Sequence, residues 1–339
     1  MRCKALILGC SGPVLSDEEE ALFSDTQPWG LILFKRNIVE SQQVAALCAR
    51  FREIVGRQDA PVLIDQEGGR VQRMGPPHWP KYPAARRYLE AANGDVQRAS
   101  ELARLGSRLI ARDLKAVGIS VDCMPVLDCP IEGADNAIGD RAYATQPEIV
   151  AQIGRAAAEG MLEGGVLPIV KHMPGHGRAM VDSHFALPVV KEKIEALKTT
   201  DFLPFRSLRD FPIAMTGHIV FEAIDPTQPA TTSKTVIEDV IRGHIGFDGL
   251  LLSDDMSMKA LSGEFKDRTK ALYAAGCDIA LHCNGVMEEA ASVASAAIEL
   301  EGASLNRAER ALSYLRQPLK PFDPVEASEI LHAALALQA

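Results

Sequence analysis

The 339-residue sequence contains no C-x-x-C pair, no G-x-G-x-x-G and no block of basic residues. It also has no apolar run near the roughly 18 residues that suggest a membrane span. Its seven cysteines (Cys3, Cys10, Cys48, Cys123, Cys129, Cys277 and Cys283) are odd in number and scattered. That pattern argues against a disulfide framework or a zinc ribbon and fits a reducing compartment. The turn after the first apolar run, GCSGPV, lacks the glycine spacing of a dinucleotide fingerprint. With 36 basic against 45 acidic residues, a net charge of −9, there is no electrostatic footprint for a nucleic acid. The apolar stretch of MRCKALILGCSG is shorter than a signal h-region and leads into an acidic helix start, SDEEEALF. The expected location is the cytoplasm, with neither nucleic acid nor membrane as partner. Aromatics are scarce at 5%, but 47% hydrophobic and 24% charged residues make an ordinary soluble globular composition.

What the sequence does have is a series of short, continuous apolar runs bounded by Gly, Pro or Asp, the mark of strands buried on both faces. Eight occur: KALILG (4–9), WGLILF (29–34), PVLIDQE (61–67), GISVDCMP (118–125), GVLPIVKH (165–172), PIAMTGH (212–218), GLLLSDD (249–255) and DIALHC (278–283). Helical spacing lies between them, as at Val44, Leu47, Phe51 and Val55. Eight strands alternating with helices, without a composition break, predict one (β/α)8 TIM-type barrel spanning 1–339, its C-terminal helices from about 286 packing on it. A doubly wound open sheet is the alternative. The barrel is favoured because ionisable residues collect at the run ends: Asp65 and Glu67, Asp122 and Asp128, Lys171 and His172, His218, Asp254 and Asp255, and His282. In a barrel those ends meet on the face that carries active sites. A complete barrel buries its own core, so a monomer is expected.

The densest chemistry is in KHMPGHGRAMVDSH, 171–184. Three imidazoles, His172, His176 and His184, can hold a catalytic metal. Here Pro174, Gly175 and Gly177 break the helix that would pair the first two. A phosphate cradle is also poorly matched, because PGHG lacks the GK[ST] of a P-loop. In the third reading, Asp182 hydrogen-bonds one ring nitrogen of His184, fixes its tautomer and leaves the other nitrogen to carry a proton. Taken alone, such an Asp-x-His reads first as a turn feature. Its counterpart lies in LLLSDD, where strand alternation sends Asp254 one way and Ser253 and Asp255 the other, so that one of the two acids points into the mouth. A carboxylate facing a proton donor across a barrel mouth is the arrangement of a retaining glycosidase.

At this point DQEGGRVQR (65–73), NAIGDRAY (136–143), KHMPGHG followed by DSH (171–184), MTGHIVFEAIDPTQPATTS (215–233) and GFDGLLLSDDMSMKA (246–260) together resemble glycoside hydrolase family 3. More narrowly, they resemble its single-domain bacterial β-N-acetylglucosaminidases of peptidoglycan recycling. The resemblance runs in order from about residue 4 to 300, with Met173 where the family usually has Phe. It implies that Asp254 is the nucleophile, His184 the acid/base and Asp182 its dyad partner. By the same resemblance Asp65, Arg73, Arg141, Lys171 and His172 hold the hydroxyls of a terminal N-acetylglucosamine.

The reaction it implies is hydrolysis of a terminal β-linked N-acetylglucosamine from a muropeptide-type sugar. The substrate is a small-molecule carbohydrate, and neither cofactor nor metal is expected. Three other readings keep parts of the site: a phosphorylase, substrate-assisted hydrolysis through the 2-acetamido group, and a sugar-binding barrel without turnover. His218 either lines the site or braces its own layer, while His176 and Arg178 either reach substrate or hold the loop. His282 and Cys283 are read as packing.

Overall fold

The computed structural model describes residues 2–183 and 186–336. Eight parallel strands close into a barrel in chain order: β1 (Lys4–Gly9), β2 (Pro28–Leu33), β3 (Val62–Ile64), β4 (Val121–Asp122), β5 (Leu167–Met173), β6 (Ile213–Thr216), β7 (Leu250–Asp255) and β8 (Ile279–His282). The closing pair is β1 with β8, Leu6 opposite Ala280 and Leu8 opposite His282. All eight fall within or beside the apolar runs of the sequence, and the fold is a (β/α)8 barrel.

Period-two alternation sorts the side chains into two cores. Ile7, Leu63, Leu167, Ile169, Leu250 and Leu252 fill the barrel interior. Leu6, Leu8, Ile64, Val170, Leu251 and Ala280 face the helices outside. At the amino-terminal end the interior is closed by Leu300 and by Ala308, Ala311 and Leu312 of the helix Gly302–Ser313. No such plug occupies the carboxyl-terminal end among the described residues, and there the strands give way to polar loops.

The outer helices follow from local sequence. Ser16 caps Asp17–Thr26 by accepting from the Glu19 amide at 3.2 Å, while the Glu19 carboxylate accepts from Ser16 N at 2.9 Å. This reciprocal capping box, with four acids in the first turn, suits the positive end of the helix dipole. The helix Ser41–Ile54 turns Val44, Leu47, Cys48 and Phe51 inward. Val96–Ala116 and Pro147–Glu163 approach closely because Gly160 faces the backbone of Arg104, where any side chain would collide.

Strand β3 is shorter than its apolar run. Gln66 turns its side chain back to accept from the amides of Arg73 (2.9 Å) and Met74 (3.0 Å) and to donate to Met74 O (2.7 Å). Gly68 at φ 94° and Gly69 at φ 59° then reverse the chain into the small hairpin of Gln66–Gly68 with Val71–Gln72. The hairpin lifts Arg73 over the barrel mouth. Among the described residues, no helix is long and apolar enough to cross a membrane.

Candidate active site

The carboxyl-terminal mouth holds a cleft of about 770 Å3, counted to its open rim. Asp65, Arg73, Arg141, Lys171, His172, Asp182 and Asp254 line it. His184 lies outside the described residues. The structure thus brings together every other residue to which the resemblance assigns a catalytic or sugar-holding role.

One wall alternates carboxylates and cations. Lys171 reaches Asp65 Oδ1 at 3.0 Å and Glu67 Oε1 at 2.7 Å. Arg73 donates to Asp65 Oδ2 at 2.9 Å. Arg141 grips Glu67 with two bonds of 2.8 Å, the planar fork that guanidinium and carboxylate favour. Burial alone would raise the pKa of Asp65, but Lys171 and Arg73 draw it far below the usual carboxylate range. Glu67 is brought to about 2 in the same way, burial being outweighed by Lys171 and Arg141. Burial would lower the Lys171 pKa, and the two carboxylates more than reverse this. The wall therefore stays fully charged at neutral pH. Its donors and acceptors lie side by side, suited to vicinal hydroxyls that each give one hydrogen bond and accept another.

Two consecutive residues of β5, Lys171 and His172, both face the cleft, which regular alternation forbids. The register of β5 against β6 shifts between Val170 and Met173, so the strand is irregular where both turn inward. His172 Nδ1 lies 2.6 Å from Asp128 Oδ2, and Asp128 Oδ1 accepts from His176 N at 2.6 Å. Burial would raise the Asp128 pKa, yet His172 and then His176 hold it below its ordinary value. An ionised carboxylate can only accept, so Nδ1 of His172 carries a proton and Nε2 is left for the cleft.

Asp254 ends the inward-facing series Leu250, Leu252, Asp254 on β7. Its Oδ1 accepts from Asp255 N at 2.8 Å, the one hydrogen bond to this carboxylate among the described residues. Burial raises its pKa, but the imidazoles of His218 and His172, the Asp255 amide and Lys171 leave it below the usual range. It is therefore an ionised carboxylate with open lone pairs. Asp255 also borders the cleft, because the ladder to β8 slips between Leu252 and Asp255. Its carboxylate is consumed by Ser257 N (3.0 Å), Ser257 Oγ (2.6 Å) and Cys283 N (3.1 Å). Of these two acids, Asp254 is the one with free acceptor capacity among the described residues.

The loop after β5 is tied down at its start. Gly177 lies against the backbone of Cys129, leaving no room for a side chain. Arg178 donates to Asp201 (2.7 Å), Thr200 (3.2 Å) and Glu192 (3.3 Å), so it holds the loop. His176 lines the cleft, and burial, then the proximity of His172, lower its pKa to about 4. Among the described residues, no three His, Cys, Asp or Glu side chains are grouped to hold a metal ion. His282 packs edge-on to Phe265 with ring centroids 5.5 Å apart, and Cys283 borders the cleft.

Glu67 and Asp128 were visible in the sequence as acids at strand ends, but nothing there pairs Glu67 with Arg141, 74 positions away. Both act behind the cleft wall, orienting the cations and the imidazole that face it.

A closed parallel barrel with one open carboxylate at its mouth, set against a charged wall suited to hydroxyl groups, defines a barrel enzyme for a polyhydroxylated substrate. The glycosyl hydrolase family 3 N-terminal domain matches residues 7–313. A beta-hexosaminidase of Thiobacillus denitrificans is 38% identical over 285 residues, covering 82% of this chain and 78% of that protein. The structure of NagZ from Neisseria gonorrhoeae in complex with N-trifluoroacetyl-D-glucosamine superposes with a TM-score of 0.84 at 28% identity, covering all of this chain and 98% of that one. A family 3 beta-N-acetylglucosaminidase from Paenibacillus gives a TM-score of 0.80 at 30% identity, covering 99% of this chain but 62% of that longer protein. The chain belongs to glycosyl hydrolase family 3 and is a glycoside hydrolase.

Proposed function

We propose that the protein is a retaining exo-β-N-acetylglucosaminidase that removes a terminal N-acetylglucosamine from muropeptide-type sugars such as GlcNAc-1,6-anhydro-MurNAc, with or without peptide, in cell-wall recycling. The observation that carries this reading is the ionised, singly hydrogen-bonded Asp254 facing the charged wall of Asp65, Arg73 and Lys171 across one cleft. The names of the relatives, beta-hexosaminidase and NagZ, support the choice of sugar.

In the proposed mechanism, Asp65, Arg73, Arg141, Lys171 and His172 hold the ring hydroxyls and fix the anomeric carbon above Asp254. An Asp254 oxygen attacks that carbon as the bond to the leaving oxygen breaks, and His184, paired with Asp182, gives the leaving oxygen its proton. Water then attacks the glycosyl ester, handing a proton to His184 and releasing Asp254 with net retention. An imidazole suits this double duty because its ordinary pKa lies near neutrality.

The test is chromophore release from an aryl β-N-acetylglucosaminide beside the matching β-glucoside, with Asp254→Asn as control. Turnover of the acetamido substrate alone, lost in the variant, is expected. Equal turnover of both sugars, or full activity in the variant, would overturn the assignment.

A further inference from the structure

Among the described residues the carboxylate of Asp254 takes one hydrogen bond, from the amide of Asp255, so its aim depends on how firmly residue 255 is held. The β7–β8 register slips between Leu252 and Asp255 before resuming at Asp255 and Leu281, and the amide and carbonyl of Asp255 bond to Asp254 and His218. Side chains take over. The Asp255 carboxylate is bound from Ser257 and from Cys283 N beside β8, and its carbonyl lies 2.9 Å from Nε2 of His218, just beyond β6.

His218 is fully buried and engaged at both nitrogens. A carbonyl oxygen only accepts, so Nε2 carries the proton toward Asp255. Nδ1 lies 2.8 Å from Thr231 Oγ1, which is itself 2.8 Å from Thr216 Oγ1. This chain of hydroxyls fixes the plane of the ring and, with it, the direction of the Nε2 donor.

We propose that His218 is a positioning residue for the nucleophile: through the carbonyl of Asp255 it holds residue 255, whose amide, on the other side of the same α-carbon, aims the Asp254 carboxylate. This rests on the assignment of Asp254 made above. His218 is not among the residues lining the cleft, so its effect on the reaction passes through Asp254 and Asp255 and not through the sugar.

The test compares wild type, His218→Leu, His218→Gln and Asp254→Asn, using kcat and KM on an aryl β-N-acetylglucosaminide and the inhibition constant of free N-acetylglucosamine. Glutamine carries a donor and an acceptor on one terminal carbon and can replace both ring nitrogens. Misplacing a reacting atom by about 1 Å costs on the order of 100-fold, so His218→Leu should lose about that much in kcat with N-acetylglucosamine inhibition within about threefold of wild type. His218→Gln should recover to within about tenfold of wild type.

An unchanged kcat in His218→Leu, with Asp254→Asn inactive, would refute the positioning role while leaving the nucleophile in place. Equal damage in both His218 variants, accompanied by weakened N-acetylglucosamine inhibition, would mark a general brace and also refute it. Wild-type turnover by Asp254→Asn would instead remove the functional assignment on which the proposal rests.

Discussion

Replacing Glu67 by Gln keeps its shape and removes its charge, and the structure sets the expected cost. Glu67 is paired with Arg141 through two 2.8 Å bonds and with Lys171 at 2.7 Å, and the three side chains are 7%, 13% and 3% exposed. Removing one partner of a buried ion pair costs about 3–5 kcal/mol, because it leaves a desolvated charge behind. Lys171 keeps Asp65 at 3.0 Å and Arg141 keeps the carbonyl of Ala137 at 3.1 Å, which places the cost at the lower end. With an unfolding entropy of about 2.1 cal/mol/K per residue, 339 residues give about 0.7 kcal/mol/K, so a loss of about 3 kcal/mol lowers Tm by about 4 °C. Scanning calorimetry of Glu67→Gln measures the shift. Adding Arg141→Gln should return part of it, since the stranded charge is then gone. Inhibition by N-acetylglucosamine should weaken at the same time, because Lys171 and Arg141 both line the cleft. A Tm within about 1 °C of wild type, with inhibition unchanged, would refute the reasoning that a buried charge network organises the sugar wall.

Two further outcomes follow from the histidines beside that wall. Asp128→Asn removes the charge that holds Nδ1–H of His172, and the loss of a charge-assisted bond should raise KM about tenfold with a smaller change in kcat, read from steady-state kinetics. His176, with a native pKa of about 4 against an ordinary 6.5, refuses a proton that the unfolded chain accepts. Stability contributed by this group is therefore present above pH 6.5 and lost as pH falls toward 4, by up to about 3 kcal/mol. Melting curves of His176→Leu should show a shallower fall in Tm over that window than wild type. An equally steep fall in both would remove His176 from the account.

All eight strands were legible because each is a short apolar run that a barrel buries on both faces. The detail of the mouth was less so. The run through Asp65 and Glu67 reads as strand, yet the chain leaves the barrel at Ile64, because the Gln66 side chain replaces ladder partners and two glycines turn the backbone. Alternation selects one of Asp254 and Asp255, whereas a slipped register brings both to the cleft, and the difference lies in their hydrogen bonds. For Lys171 and His172 the same local irregularity defeats the period of two. The partners Glu67 and Asp128 were hidden for another reason: their contacts join distant segments, and only the closed barrel sets those segments face to face.

In the proposed mechanism Asp254 forms a covalent bond to the sugar. Its most direct test is peptide mapping by mass spectrometry after reaction with 5-fluoro-β-N-acetylglucosaminyl fluoride, whose slowed second step lets the glycosyl-enzyme accumulate. One 5-fluoro-N-acetylglucosaminyl group is expected on the peptide bearing Asp254, and none on the Asp254→Asn protein. Turnover without any adduct, or an adduct on a different carboxylate, would contradict it.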